Sequence, residues 1–523
     1  MREPIIVATV LIFSFSALSS GQRPCAKRRF DQDAYVCVCN SSYCDDVINV
    51  NVVPNSGRGV TIVTGMNYTG FSQGTTSAHP SVPADATVIY INDILEYQTI
   101  AGFGGALTDA VGLNLNSLPA DLADSIIKQY YSPSEGLNYK FARIPMGSSD
   151  FSTISYSYDE HDQDFSLTQF NLTSEDTTLK VPYIKKAFNY SGNSLNIIAS
   201  PWSAPAWMKQ TGSMKGGGPL KGDLGGSYYQ TWANYFKSFA NYFYRYYNLQ
   251  IWAFTIQNEP NTGIDVDFPS EAMFWNATMQ RDFVKNMLGP AVRQISYSPS
   301  PLLIMLDDDE QYLPNWADSV LSDHNAAHYI NGIGVHWYST KSVTESNLVY
   351  VNDKYPTKWV LYTQGSFSRN DTQPRPLLGS WARAQLLADN IISAFQNYAV
   401  GWIDFNLALD MDGGPNWSKN YADSPIIVNA AASEYYKQPM WYAIGLFSRY
   451  IQPGATKMKS SITFGLDGLT FVAFLNLDGT RITIISNKSQ SNTYHLAITD
   501  LSRPGKGYYL LYVYPQTVTT VII

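Results

Sequence analysis

From residue 99 onward, short apolar runs alternate with amphipathic stretches, and this alternation constrains the fold more than any other feature of the chain. The eight runs read TIAGFGGA, YKFARIPMG, LNIIASPWS, IWAFTIQNEP, LLIMLDDD, GIGVHWYS, WVLYTQGS and VGWIDFNLAL. Unbroken apolar runs suit strands buried on both faces, as in a parallel sheet. Between them, segments such as residues 227–248 and 379–399 carry aromatic and aliphatic side chains at three- and four-residue spacing, which predicts amphipathic helices. Eight such units predict an α/β fold whose core is a (β/α)8 TIM barrel over residues 99–450.

The flanks differ in texture. Residues 47–98 and 451–523 alternate apolar and polar positions, and Asp467-Gly468 and Asp478-Gly479 read as hairpin turns. They predict one β-sandwich domain built from both ends of the chain, with a bracing role favoured over a binding one. A length of 523 residues accommodates such a barrel and its companion.

Residues 1–21 combine Arg2, the apolar run IIVATVLIFSFSAL and the small residues SSG, the pattern of a secretory signal peptide. A disulfide-bearing segment follows at 22–46, where Cys25, Cys37, Cys39 and Cys44 lie within twenty residues. A Cys37–Cys39 bridge is sterically poor. That leaves Cys25–Cys37 with Cys39–Cys44, or the crossed Cys25–Cys39 with Cys37–Cys44, of which the uncrossed pairing is preferred. A zinc site is disfavoured because the segment holds no His. Sequons at Asn40, Asn67, Asn171, Asn189, Asn276, Asn370 and Asn487 fit export, whereas the sequon at Asn416 is expected to be buried and bare. A net charge of −8 with no Lys/Arg cluster beyond residues 26–30 argues against a nucleic-acid partner. No later apolar run is long enough to span a bilayer.

Active sites of such barrels lie at the carboxyl ends of the strands. Here those ends carry Asp109, Arg143 with Asp150, Trp202 with Trp207, Asn258 with Glu259, Asp307 with Asp308, His336-Trp337-Tyr338, Gln364, and Asp404 with Asn406. Each alone has an ordinary structural reading: Asp109 as a helix cap, Arg143 as an ion-pair partner, His336 as a hydrogen-bonded core residue, Trp202 as filler. Polar or aromatic residues at all eight ends point to a site. The most specific motif is TIQNEP, where Pro260 ends the strand and fixes Glu259 beside Asn258. A carboxyl there can serve as the acid/base of a retaining glycosidase, which needs a second carboxylate about 5 to 5.5 Å away. Three strands on, that partner should fall near residue 370, and the residue at the strand end is Gln364.

At this point the chain resembles a known family. The stretches GFGGALTDA, RIPMGSSDFS, ASPWSAPAWMK, TIQNEP, MLDDD, VHWY, GSW, NLALDMDGGPNW and DSPIIV, with CVCN and YC near the start, are similar to those of the glucosylceramidases, lysosomal acid β-glucosidases. The resemblance implies a retaining mechanism on glucosylceramide or a related β-glucoside in sphingolipid metabolism, without metal or cofactor. It implies contact with a membrane surface without spanning it, a saposin-type activator as partner, and a lysosomal or secreted location. It assigns the acid/base to Glu259 and sugar contacts to Asp150, Trp202, Asn258 and Asn420. Arg143, His336, Tyr338 and Phe405 complete the expected substrate-binding set. It also supports Cys25–Cys37 with Cys39–Cys44.

The chain departs from the family pattern at two positions. Where the family ends the eighth strand with Trp, this chain has Phe405, which keeps an aromatic face and loses an indole N–H. Where the family carries its nucleophilic Glu, this chain has Gln364. The expectation is a glycosidase scaffold with severely impaired hydrolysis, or, alternatively, a catalytically inactive protein that binds β-glucosides or glycolipids.

Overall fold

The computed structural model describes residues 22–338, 346–367 and 376–523; the expected signal peptide and the Asn370 sequon lie outside the described residues. Eight strands form a closed parallel barrel: β1 (Gly102–Ala106), β2 (Phe141–Met146), β3 (Asn196–Pro201), β4 (Ile251–Thr255), β5 (Leu302–Asp309), β6 (Ile330–His336), β7 (Trp359–Gln364) and β8 (Ala399–Asp404). Each pairs with its neighbours in chain order, and β8 closes on β1. The apolar runs have the burial that their composition predicts: every residue of β1, β2 and β8 is buried.

The helix-like segments form as their spacing requires. The helix Ser227–Tyr247 buries Trp232, Phe236, Phe239 and Phe243 completely, and Phe236 meets Phe254 of β4 edge-on at 5.1 Å. This helix ends at Asn248, which adopts the left-handed conformation (φ 56°) that closes many helices. The helix Trp381–Gln396 starts at Ser380, whose hydroxyl accepts from the Arg383 N–H.

Nine antiparallel and parallel strands from the two flanks close into the sandwich. Its central strand, Thr517–Ile522, pairs on one side with Arg481–Asn487 and on the other with Arg58–Gly65, so the two ends of the chain share one sheet. Gly468 and Gly479 have positive φ (71° and 85°), as Asp-Gly hairpin turns require. The cysteine-bearing segment belongs to a further five-stranded sheet, in which Tyr35–Cys39 pairs with Glu434–Lys437. Its bridges are Cys25–Cys37 and Cys39–Cys44, the uncrossed pairing. Below them the buried Lys437 ammonium is paired with Asp45 at 2.7 Å.

One expected glycosylation site is corrected here. Asn487 is fully buried, and its Nδ2 donates to the carbonyls of Asn492, Val513 and Tyr514 at 2.9, 3.2 and 3.0 Å. An amide nitrogen committed inside a sheet has neither access nor room for a glycan. Asn416 is also buried, as expected. Asn67, Asn171, Asn189 and Asn276 are exposed, and Asn40 is half-buried.

Candidate active site

The register brings the last residues of β5, β6 and β7 side by side, with Asp309 opposite His336 and His336 opposite Gln364. Glu259, just past β4, points into the same mouth. Gln364 is 5% exposed, and its amide is oriented by three partners. Its Oε1 accepts from Arg143, and its Nε2 donates to Tyr338 OH at 3.0 Å and to Glu259 Oε1 at 3.3 Å. Two carboxylates could not share such a contact without strong repulsion; an amide N–H beside a carboxylate turns it into a hydrogen bond.

Beneath this pair lies a buried charged layer. Arg143 is completely buried, and its remaining donors go to Ser200 Oγ at 3.1 Å, Asn258 Oδ1 at 2.8 Å and Asp307 Oδ2 at 2.8 Å. Asp307 also accepts from Thr363 Oγ1 at 2.6 Å. Burial opposes charge on Asp307, but Arg143 and His336 outweigh it and hold its carboxyl well below the usual range. His336 bridges Glu259 Oε1 and Asp307 Oδ1, each at 3.1 Å. Burial works against a charged ring there, yet the hydrogen bonds to Asp307 and Glu259 prevail and push its pKa up to about 9. At neutral pH it is an imidazolium with both nitrogens engaged. The expected substrate contacts of Arg143 and His336 are therefore corrected: both are fully buried with their nitrogens occupied, and they position Gln364, Asn258 and Glu259 from below.

The pocket walls are aromatic. Trp202 and Phe405 stack at 5.9 Å with an interplanar angle of 19°, and the Arg143 guanidinium lies 5.0 Å from the Trp202 ring. Asp150 and Asn420 meet across the mouth, Asn420 Nδ2 donating to Asp150 Oδ2 at 3.0 Å. Burial pushes the Asp150 pKa up to about 7 despite that bond. Asn258 Oδ1 is taken by Arg143, so its Nδ2 is the end that can face a sugar hydroxyl. Tyr338, half-buried, presents its hydroxyl to Gln364 Nε2 and lies 3.5 Å from Ser366 Oγ.

Asp109 does not enter the pocket. Its carboxylate accepts from Ser152 Oγ at 2.6 Å and Tyr156 OH at 3.0 Å, and the helix that follows is capped by Thr108 instead. Lys180, fully buried, pairs with Asp176 at 3.1 Å and donates to the Gly147 carbonyl at 3.0 Å. Together these groups hold the loop that carries Asp150. The sequence gives no sign of Lys180 in this place. Nor does it reveal the left-handed backbone of Glu259 (φ 44°), Leu306 (65°), Asp307 (62°) and Asn406 (70°), all at strand ends over the pocket. Such conformations persist where surrounding structure fixes them, and they concentrate at functional sites.

This geometry has close counterparts among known proteins. Residues 100–451 match the Glycosyl hydrolase family 30 TIM-barrel domain, and residues 454–521 match the Glycosyl hydrolase family 30 beta sandwich domain. The chain is 40% identical over 524 aligned residues to putative glucosylceramidase 4 of Caenorhabditis elegans, covering 99% of each. It is 36% identical to the lysosomal acid glucosylceramidase of Mus musculus, covering 93% of this chain and 94% of that one. Among solved structures, SrfJ from Salmonella typhimurium superposes with a TM-score of 0.79 at 26% identity, covering 89% of this chain and 99% of that one. With both domain families matched in order along a barrel and sandwich of the described geometry, the chain belongs to glycosyl hydrolase family 30.

Proposed function

We propose that this protein is a glucosylceramidase-type retaining β-glucosidase by descent, directed at glucosylceramide or a related β-glucoside, in which Gln364 severely impairs hydrolysis. The observation that carries the reading is the placement of Gln364 against Glu259, Arg143 and Tyr338. Glu259 is well placed to protonate the leaving oxygen as the glycosidic bond breaks. In a retaining enzyme the opposing carboxylate then forms an ester with the anomeric carbon, which water later hydrolyses with Glu259 acting as base. An amide oxygen is a weak nucleophile and brings no negative charge to an oxocarbenium-like transition state. By analogy with the loss of one member of a catalytic triad, the rate falls by about 10⁴-fold, roughly 5 kcal/mol.

A second reading, a glycolipid-binding protein on the same scaffold, is favoured by the hydrogen bonds that Gln364 makes as an amide, which leave the pocket neutralised and intact. On either reading the protein enters the secretory route through residues 1–21 and works in the lysosomal lumen or outside the cell. There it meets its lipid substrate at a membrane surface with a saposin-type activator. No helix among the described residues is long and apolar enough to cross a membrane. Isothermal titration with a glucosylceramide head-group analogue, beside a sensitive turnover assay, tests the proposal. Binding with negligible turnover is expected; turnover at the rate of ordinary β-glucosidases would refute impairment, and absence of binding would refute both readings.

A further inference from the structure

The amino-terminal mouth of the barrel, opposite the candidate active site, holds a cleft of about 620 Å³. That size is within the range of small-molecule sites, about 300 to 1,000 Å³. It is built from segments far apart in sequence: the approach to β1, the starts of β2 and β4, the turn into β7 and the start of β8. Its rings form two groups. Trp252 and Trp359 lie nearly parallel at 6.0 Å and 22°, with Phe141 tilted against Trp252 at 5.4 Å, and Tyr97 and Tyr398 face each other at 6.1 Å. Apart from Phe141 these rings are only half-buried. An ordinary barrel floor would close such surface over.

The polar groups in the cleft select among ligand classes. Gln98 is anchored through Nε2, which donates to the carbonyls of Phe395 and Ala399 at 2.7 and 3.1 Å. Its Oε1 is buried and has no partner, and the rest of the side chain lines the cleft. Asn352 and Thr357 add further hydrogen-bonding groups; among the described residues no carboxylate lines the cleft, and the Asp353 carboxylate beside it accepts from Asn352 Nδ2 at 3.4 Å. Among the described lining residues the cation is Lys358, which commits two of its protons to the carbonyls of Ala327 and Ile330 at 2.9 and 2.7 Å, while the Lys457 ammonium packs on the Tyr97 ring, 3.9 Å from its centroid. Among the described lining residues a cation finds no carboxylate, an anion finds at most one spare N–H, and a purely apolar ligand leaves the Asn352 amide and the Thr357 hydroxyl unmatched. A molecule with C–H faces for the rings and hydroxyl donors for the amide satisfies both. We propose that this cleft is a second, non-catalytic binding site for a neutral saccharide.

Fluorine NMR of the full chain labelled with 5-fluorotryptophan tests this, with signals assigned by Trp252→Phe, Trp359→Phe and Trp202→Phe. Gentiobiose and cellotriose are the probes for the cleft, and a glucose-configured iminosugar is the probe for the pocket beside Trp202. The expected result is a saturable shift of the Trp252 and Trp359 signals with either saccharide, unchanged in Trp202→Ala. It should weaken by about fivefold or more in Tyr398→Ala, while the Trp202 signal still responds to the iminosugar as in the wild type. Silence of Trp252 and Trp359 toward both saccharides overturns the proposal. So does a response to decanol in place of the saccharides, which makes the cleft an apolar site, or a response that disappears in Trp202→Ala. Failure of the Trp202 signal to respond to the iminosugar bears on the catalytic pocket alone, so the two readings fail separately.

Discussion

Gln364 Nε2 stands 3.3 Å from Glu259 Oε1, a hydrogen bond where a retaining glycosidase holds two carboxyl groups about 5 to 5.5 Å apart. The amide donates to Glu259 where a second carboxylate would repel it. The same contact, with His336 on the other side, orients Glu259 through Oε1, while among the described residues Oε2 meets only Thr262 Oγ1 at 3.5 Å. Around residue 364 the hydrogen-bonded frame is formed by Arg143, Tyr338 and Glu259, and the group it holds is an amide.

Sugar binding should survive that alteration. Trp202 stacks on Phe405 beside the Arg143 guanidinium, and Trp202→Ala is expected to weaken binding of a glucose-configured inhibitor by about 1 kcal/mol, or about fivefold. Calorimetry on the variant decides it. Unchanged affinity would mean that the sugar lies elsewhere.

The buried Arg143–Asp307 pair should dominate local stability. Arg143→Met leaves the Asp307 charge buried without its guanidinium, and breaking such a pair costs about 3 to 5 kcal/mol. Urea unfolding should show that loss, and adding Asp307→Leu to the same chain should recover part of it. A double variant no more stable than Arg143→Met would show that the pair is not the coupled unit described.

Stability should fall as pH rises from about 5 to 9. Burial lifts the folded-state pKa of Asp404 to about 7 against only the Trp402 N–H bond, and that of Asp150 to about 7 as well. Both carboxyls lie near 3.9 when unfolded, so between about pH 4 and 7 the folded chain holds more protons and loses stability as they leave. His336 continues the trend: its contribution is complete below its unfolded value of about 6.5 and is lost as pH passes through about 9. Urea midpoints measured across this interval should decline throughout, and His336→Gln should flatten the upper part. A maximum near pH 8 would contradict the assignment.

The barrel was legible because period and burial agree: β2 and β8 are buried at every position, and unbroken apolar runs announce that. Glu259 and Gln364 were legible because strand ends in this fold face the pocket. What Arg143 and His336 do was not. A residue at a strand end can point into the mouth or under it, and only the assembled barrel shows their nitrogens committed below the pocket floor. Asn487 escaped for a related reason: its sequon is local, whereas its burial comes from a strand held between its hairpin neighbour Leu469–Leu475 and the remote strand Thr517–Ile522. The bottom cleft also depends on long-range assembly, since residues near 98, 252, 359 and 398 meet only when the barrel closes.

If one missing carboxylate separates this site from turnover, Gln364→Glu restores it. The exchange replaces NH₂ by O⁻ with almost no change in volume. Arg143 already donates to the residue at 364, and Tyr338, now the acceptor from Gln364 Nε2, can turn its hydroxyl to donate to a carboxylate. The measurement is β-glucosidase turnover by the purified variant, with the anomer of the first-formed product and the site labelled by a cyclitol-type mechanism-based inhibitor. The expected result is a gain of several orders of magnitude, on the order of 10⁴-fold, with retained configuration and a covalent label on residue 364. A variant that folds and binds the sugar, yet neither turns over nor takes the label, would contradict it.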